Sequence, residues 1–120
     1  MNEDIKNKWV RALRSGEYRQ TKTKLKNQNG YCCLGVLCEL YSKETKNAAF
    51  SSQPVYWCAD GTHEILDEVS LLPVPIIQWA EMKSSDGNLP QMNSLAYQND
   101  YAGSNFEEIA DYIEKYWEVL

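Results

Sequence analysis

Apolar residues recur at helical spacing near the N-terminus, where Ile5, Trp9, Ala12 and Leu13 mark one face. That pattern predicts a helix from about Glu3 to Ser15, with Asn2 as its cap and Gly16 in the left-handed position beyond its end. Residues 17–30 are polar and basic. Within them TKTKLK alternates like an exposed strand, and Asn29-Gly30 is a turn signal. Leu34, Leu37, Cys38 and Tyr41 then recur at i, i+3, i+4 and i+7. They predict a buried helix from about Cys32 to Lys43, in which Gly35 implies close approach by another backbone or by a ligand.

The middle of the chain is less regular. Residues 45–53 read as loop. Val55-Tyr56-Trp57-Cys58, an Asp60-Gly61 turn and Thr62 to Ile65 read as a hairpin. Pro73 and Pro75 bracket the start of a short helix carrying Ile76, Ile77, Trp79, Ala80 and Met82. SSDGNLPQ is loop, and a short helix covers Ser94 to Gln98. Ser104 and Glu107 are placed as a capping box for a last helix, Asn105 to Glu118. Its inner face is Phe106, Ile109, Ala110, Ile113 and Trp117. The sum is one α+β domain, mainly helical (three to four helices), with a short β-hairpin or small antiparallel sheet.

Composition narrows the setting. The chain has 120 residues, of which 43% are apolar. This suits a single folded domain, 1–120, rather than a disordered chain. No apolar run approaches the ~20 residues of a membrane span, and MNEDIKNKWV has no apolar leader stretch. The expected compartment is the cytoplasm. There Cys32, Cys33, Cys38 and Cys58 are expected as buried free thiols.

Charge changes the picture most. The net charge is −5, yet residues 1–30 carry eight Lys or Arg against three acids. Such asymmetry points to an anionic partner at the N-terminal third. Total acidity, with a pI near 4.8, argues against duplex DNA and for a small phosphorylated ligand. Arg11, Arg14 and Arg19 are the candidate phosphate-holding forks. Tyr18 and Tyr31 are candidate base-stacking rings, with Gln20 as a reader of a base edge. Asn99, with Asp100, reads either as part of a tight helix-to-helix connection or as a polar group toward a ribose.

Catalytic constellations are sparse. Cys32 and Cys33 open a helix, a layout that resembles papain-like peptidoglycan hydrolases, but His63 is the single histidine and no orienting group for it is evident. The cysteine spacing does not suit a structural zinc site. With no Walker loop and no GxGxxG, no cofactor and no metal are expected.

The segments WVRALRSGEYRQ at 9–20, GYCCLGVLCELY at 30–41, ND at 99–100 and FEEIADYIE at 106–114 resemble a family of small phage and prophage proteins. The resemblance spans nearly the whole chain. It implies a phage accessory protein, on the analogy of counter-defence sponges that hold a host nucleotide immune signal without cleaving it. Such proteins are homo-oligomers. The expected ligand is ADP-ribose-like or a cyclic nucleotide. The alternatives are a nucleotide-signal or Cys-dependent hydrolase, and an inhibitor that blocks a host protein through the acidic face of the last helix.

Overall fold

The computed structural model describes residues 1–45 and 71–120, with the backbone alone at 55–57 and 63–65. Among these residues the chain is α+β, with five α-helices and two short antiparallel hairpins. The helices are α1 (Glu3–Arg14), α2 (Cys33–Thr45), α3 (Val74–Ala80), α4 (Leu95–Asp100) and α5 (Phe106–Tyr116), the last continued by a 3-10 turn, Trp117–Val119. The strands are β1 (Lys26–Asn27), β2 (Gly30–Tyr31), β3 (Val55–Trp57) and β4 (His63–Ile65). No described helix is long and apolar enough to cross a membrane.

Helix α2 is the central element. Cys33 through Cys38 are all buried, as is Tyr41, so the helix is covered on every side of its first two turns. A helix apolar all round belongs in the core. It packs against α1, α3, α4 and β2. Helix α1 buries Ile5, Trp9, Val10 and Leu13 against α2 and α5. Trp9 is fully buried, and its indole N–H donates to the Cys33 carbonyl at 2.9 Å. That bond satisfies a polar group inside the core and ties α1 to the start of α2. Helix α5 contributes Phe106, Ile109, Ala110 and Ile113 to the same core.

Several boundaries differ from the pattern in the sequence. TKTKLK is not a strand. Thr23 has φ 69°, which breaks the alternation, and Leu25 alone turns into the core. Pairing starts only at Lys26↔Tyr31 and Asn27↔Gly30, so Gln28-Asn29 form the turn. The side chain of Asn27 accepts from the Asn29 N–H at 2.8 Å and stabilises that turn locally. The last helix is capped by Asn105 with Glu108, one residue later than expected. Ser104 instead donates its hydroxyl to the Gln98 side chain at 3.0 Å. Asn99 and Asp100 are not a connection but the last residues of α4. The second hairpin forms with Val55↔Ile65, Tyr56↔Glu64 and Trp57↔His63 in register. Its Asp60-Gly61 turn, Cys58 and most of the 45–53 loop lie outside the described residues.

Candidate functional site

Beyond the Trp9 contact, α1 and α2 leave an open cleft of about 260 Å³ between them. The α1 side is a stripe of Lys8, Arg11, Ala12 and Ser15, one helical face at i, i+3, i+4 and i+7. The α2 side is Leu40 and Lys43, and Glu17 and Tyr18 complete the lining. Half-buried Ala12 and Leu40 give it an apolar floor. Among the described residues, three cations and one carboxylate line the cleft around that floor.

The cations differ in their commitments. Lys8 pairs with Glu44 at 2.9 Å, with both side chains over 40% exposed. An exposed pair of this kind is weak and exchangeable. Lys43 donates to the Tyr18 hydroxyl at 3.0 Å, and its ammonium lies 5.4 Å from the centre of the same ring. The hydrogen bond to Tyr18 raises the Lys43 pKa above its ordinary value, so the charge is secure at neutral pH. Arg11 is exposed and has no hydrogen-bond or ion-pair partner among the described residues. Ser15 is spent internally, donating to the Ala12 carbonyl at 2.6 Å and accepting from the Glu17 N–H at 3.1 Å.

Of the residues singled out in the sequence, the structure brings Arg11 and Tyr18 into this cleft. Tyr31 lies behind Tyr18, edge-on with ring centres 5.2 Å apart, and Lys26 sits 5.3 Å from its ring. It therefore props the Tyr18 ring and is not part of the cleft lining. The other four are elsewhere. Arg14 reaches α5, where it bonds Glu107 at 2.5 Å and Asp111 at 2.7 Å. The Asp111 bond, ahead of Glu107, holds its pKa above the ordinary value. It is an interhelix tie, not a phosphate fork. The Arg19 carbonyl accepts from the Tyr31 N–H at 2.8 Å, and its side chain is exposed outside the cleft.

Gln20 and Asn99 do meet, but inside the protein. Gln20 donates to the Asn99 side chain at 2.8 Å and to the Ser104 carbonyl at 2.9 Å. Asn99 has no exposed surface. Its carbonyl oxygen also accepts from the Cys33 N–H at 3.2 Å, capping α2 from a distance of 66 residues in sequence. Its amide donates to the Thr21 carbonyl at 2.9 Å and to Asp100 at 2.8 Å. Every hydrogen-bonding group of the Asn99 side chain is used, leaving none for a ribose.

Lys8 and Lys43 were missed in the sequence. The signal for Lys8 was available, since it shares the helical stripe of Arg11 and Ser15. The signal for Lys43 was not, because only tertiary packing brings α2 beside that stripe.

The three described thiols, Cys32, Cys33 and Cys38, do not offer a second chemistry. Burial pushes the Cys32 thiol up to about 12, and it pushes Cys33 and Cys38 well above the ordinary thiol value. Cys33 points its sulfur at the Leu95 carbonyl, 3.7 Å away. A nucleophilic cysteine needs the opposite shift, toward thiolate. Among the described residues no group of three or more His, Cys, Asp or Glu is placed to hold a metal ion.

No curated protein and no solved structure matches the chain. One family model does, described as a domain of unknown function, and it covers residues 1–117. The chain therefore belongs to the DUF8296 family.

Proposed function

We propose that this chain is a non-enzymatic binding protein that sequesters a small phosphorylated nucleotide in the cleft between α1 and α2. The observation that carries the reading is the Arg11 guanidinium on the cleft, which has no partner among the described residues and is flanked by Lys8, Lys43 and Tyr18. A guanidinium fork matches phosphate in a bidentate way, and an ammonium adds a point charge beside it. The Tyr18 ring and the Ala12–Leu40 floor supply an apolar surface for the rest of the ligand. The cleft is small, so it holds a phosphate with its attached sugar or ring and leaves the remainder in solvent.

Sequestration, not turnover, fits the chemistry of the lining. Among the described residues the lining carries no histidine and no thiol, and its one carboxylate is Glu17. The resemblance to phage accessory proteins gives such binding a purpose: withdrawing a host nucleotide signal, ADP-ribose-like or cyclic. The test is a thermal-shift panel of mononucleotides, ADP-ribose and cyclic nucleotides, followed by chromatography of the ligand released on denaturation. The expected result is a shift with one class and intact ligand recovered. Recovery of cleaved product would replace this reading with a nucleotide hydrolase, and no shift with any compound would reject it.

A further inference from the structure

A second surface, away from the cleft, combines exposed rings with cations that have no side-chain partner among the described residues. Tyr97 and Tyr101 lie one turn apart on and just beyond α4, 42% and 73% exposed, with ring centres 5.7 Å apart. Apart from each other, neither ring has an aromatic or cationic partner among the described residues, and neither hydroxyl is hydrogen-bonded there. Two adjacent tyrosines this open leave much of their apolar surface in water.

The segment 19–24 meets the end of the same helix. Arg19, Lys22 and Lys24 have no side-chain partner among the described residues. The segment is fastened to the end of α4 by two bonds: Asn99 to the Thr21 carbonyl at 2.9 Å and the Thr23 N–H to Asp100 at 2.8 Å. Thr23 takes a left-handed conformation, φ 69°, which costs energy for a β-branched residue and is held by the Asp100 bond. Lys22 and Lys24 therefore flank the point where the segment is fixed to the end of α4. Beyond it, Lys24 lines a polar groove of about 260 Å³ with Asn27, Gln28 and Asn29. Asp100 is the one acid in α4, and the same oxygen accepts from both Thr23 and Asn99.

Cations on a segment fastened to the end of the helix that carries a two-ring platform suit a polyanion whose repeat carries both a phosphate and a flat base. We propose that this face binds single-stranded nucleic acid, with phosphates along Arg19, Lys22 and Lys24 and bases stacked on Tyr97 and Tyr101. Base–aromatic stacking is indifferent to sequence and unavailable to a duplex, whose bases are already stacked on one another. The side-chain amides of the groove can pair with base edges. The surface shares no residue with the α1–α2 cleft, and it stands or falls independently of ligand binding there.

The test is fluorescence anisotropy with labelled oligo-dT and oligo-U of about 16 nucleotides, the upper site size of single-strand-binding folds. Binding to either supports the proposal, and the ratio between them identifies DNA or RNA as the preferred strand. Three neutralised phosphates give an expected slope of log affinity on log salt of about −2. The Tyr97→Ala/Tyr101→Ala double variant is expected to bind at least about fivefold more weakly. Both positions are exposed, so its melting temperature should hold. Arg11→Ala should leave this binding unchanged. No binding at low salt, equal binding by the double variant, or tighter binding to the matching duplex would overturn the proposal.

Discussion

Gly35 lies so close to the Leu25 carbonyl that a methyl group added to its Cα would sit well inside van der Waals contact with that oxygen. The glycine lets the 21–27 segment lie directly on α2, and the Cys32 N–H donates to the same Leu25 carbonyl at 3.2 Å. Gly35→Ala has to push backbone from backbone. It is expected to destabilise the protein by about 2 kcal/mol or more despite alanine's better helix propensity. Urea unfolding reads this directly, and an unchanged midpoint would contradict the packing described.

Asn99 joins the 20–21 segment, the start of α2 and α4 through one amide. Removing it leaves a buried N–H at Cys33 and a carbonyl at Thr21 without a partner. Asn99→Ala is expected to cost about 3 kcal/mol, since each orphaned buried group costs roughly 1–3 kcal/mol. Were Asn99 a ligand group instead, the variant would lose affinity and keep its stability. Denaturant midpoints in the absence of ligand separate the two cases.

The thiols make stability depend on pH in a defined direction. In the unfolded chain they ionise near the ordinary value of 9, whereas Cys32 in the folded protein holds its proton to about 12. Cys33 and Cys38 shift in the same direction, also through burial. Above pH 9 the unfolded state binds fewer protons than the folded state, so stability falls as pH rises. It is fully present below about 9 and is lost progressively toward 12. The urea midpoint at pH 10 should lie below that at pH 8. In a Cys58→Ser background, a thiol reagent should label the remaining three cysteines only as the protein unfolds.

Arg14 tests the separation of structure from site. Its partners Glu107 and Asp111 are 60% and 69% exposed, so the pairs are screened by solvent. Arg14→Ala is expected to cost no more than about 1 kcal/mol, less at high salt, and to leave nucleotide affinity unchanged. A large loss of affinity in this variant would put the phosphate site on the wrong face of α1.

Much of the fold was legible because its signals are local. The apolar stripe of α1, its Asn2 cap and the run from Leu34 to Tyr41 each specify one element without help from the rest of the chain. The capping box was misplaced by one residue for an equally local reason. Ser104 and Asn105 are both good caps, and Glu107 and Glu108 both lie three residues on, so tertiary contact decides. Ser104 is drawn to Gln98, which leaves Asn105 as the cap. The site was legible only in part. Arg11 and Tyr18 lie in the basic stretch that the charge pattern marks. That Arg14 turns toward α5, while Lys43 arrives from α2, depends on how three helices pack. Composition cannot say which cations in a basic segment already have partners.

The most direct measurement is isothermal titration of the wild-type chain and of Arg11→Ala with the nucleotide that gives the largest thermal shift. Saturable binding is expected of the wild type, with a loss of at least about tenfold in Arg11→Ala, the weight of one charge-assisted hydrogen bond. The melting temperature without ligand should be unchanged, because Arg11 is exposed and has no partner among the described residues. Equal affinity in the two proteins, or no heat of binding in either, would contradict it.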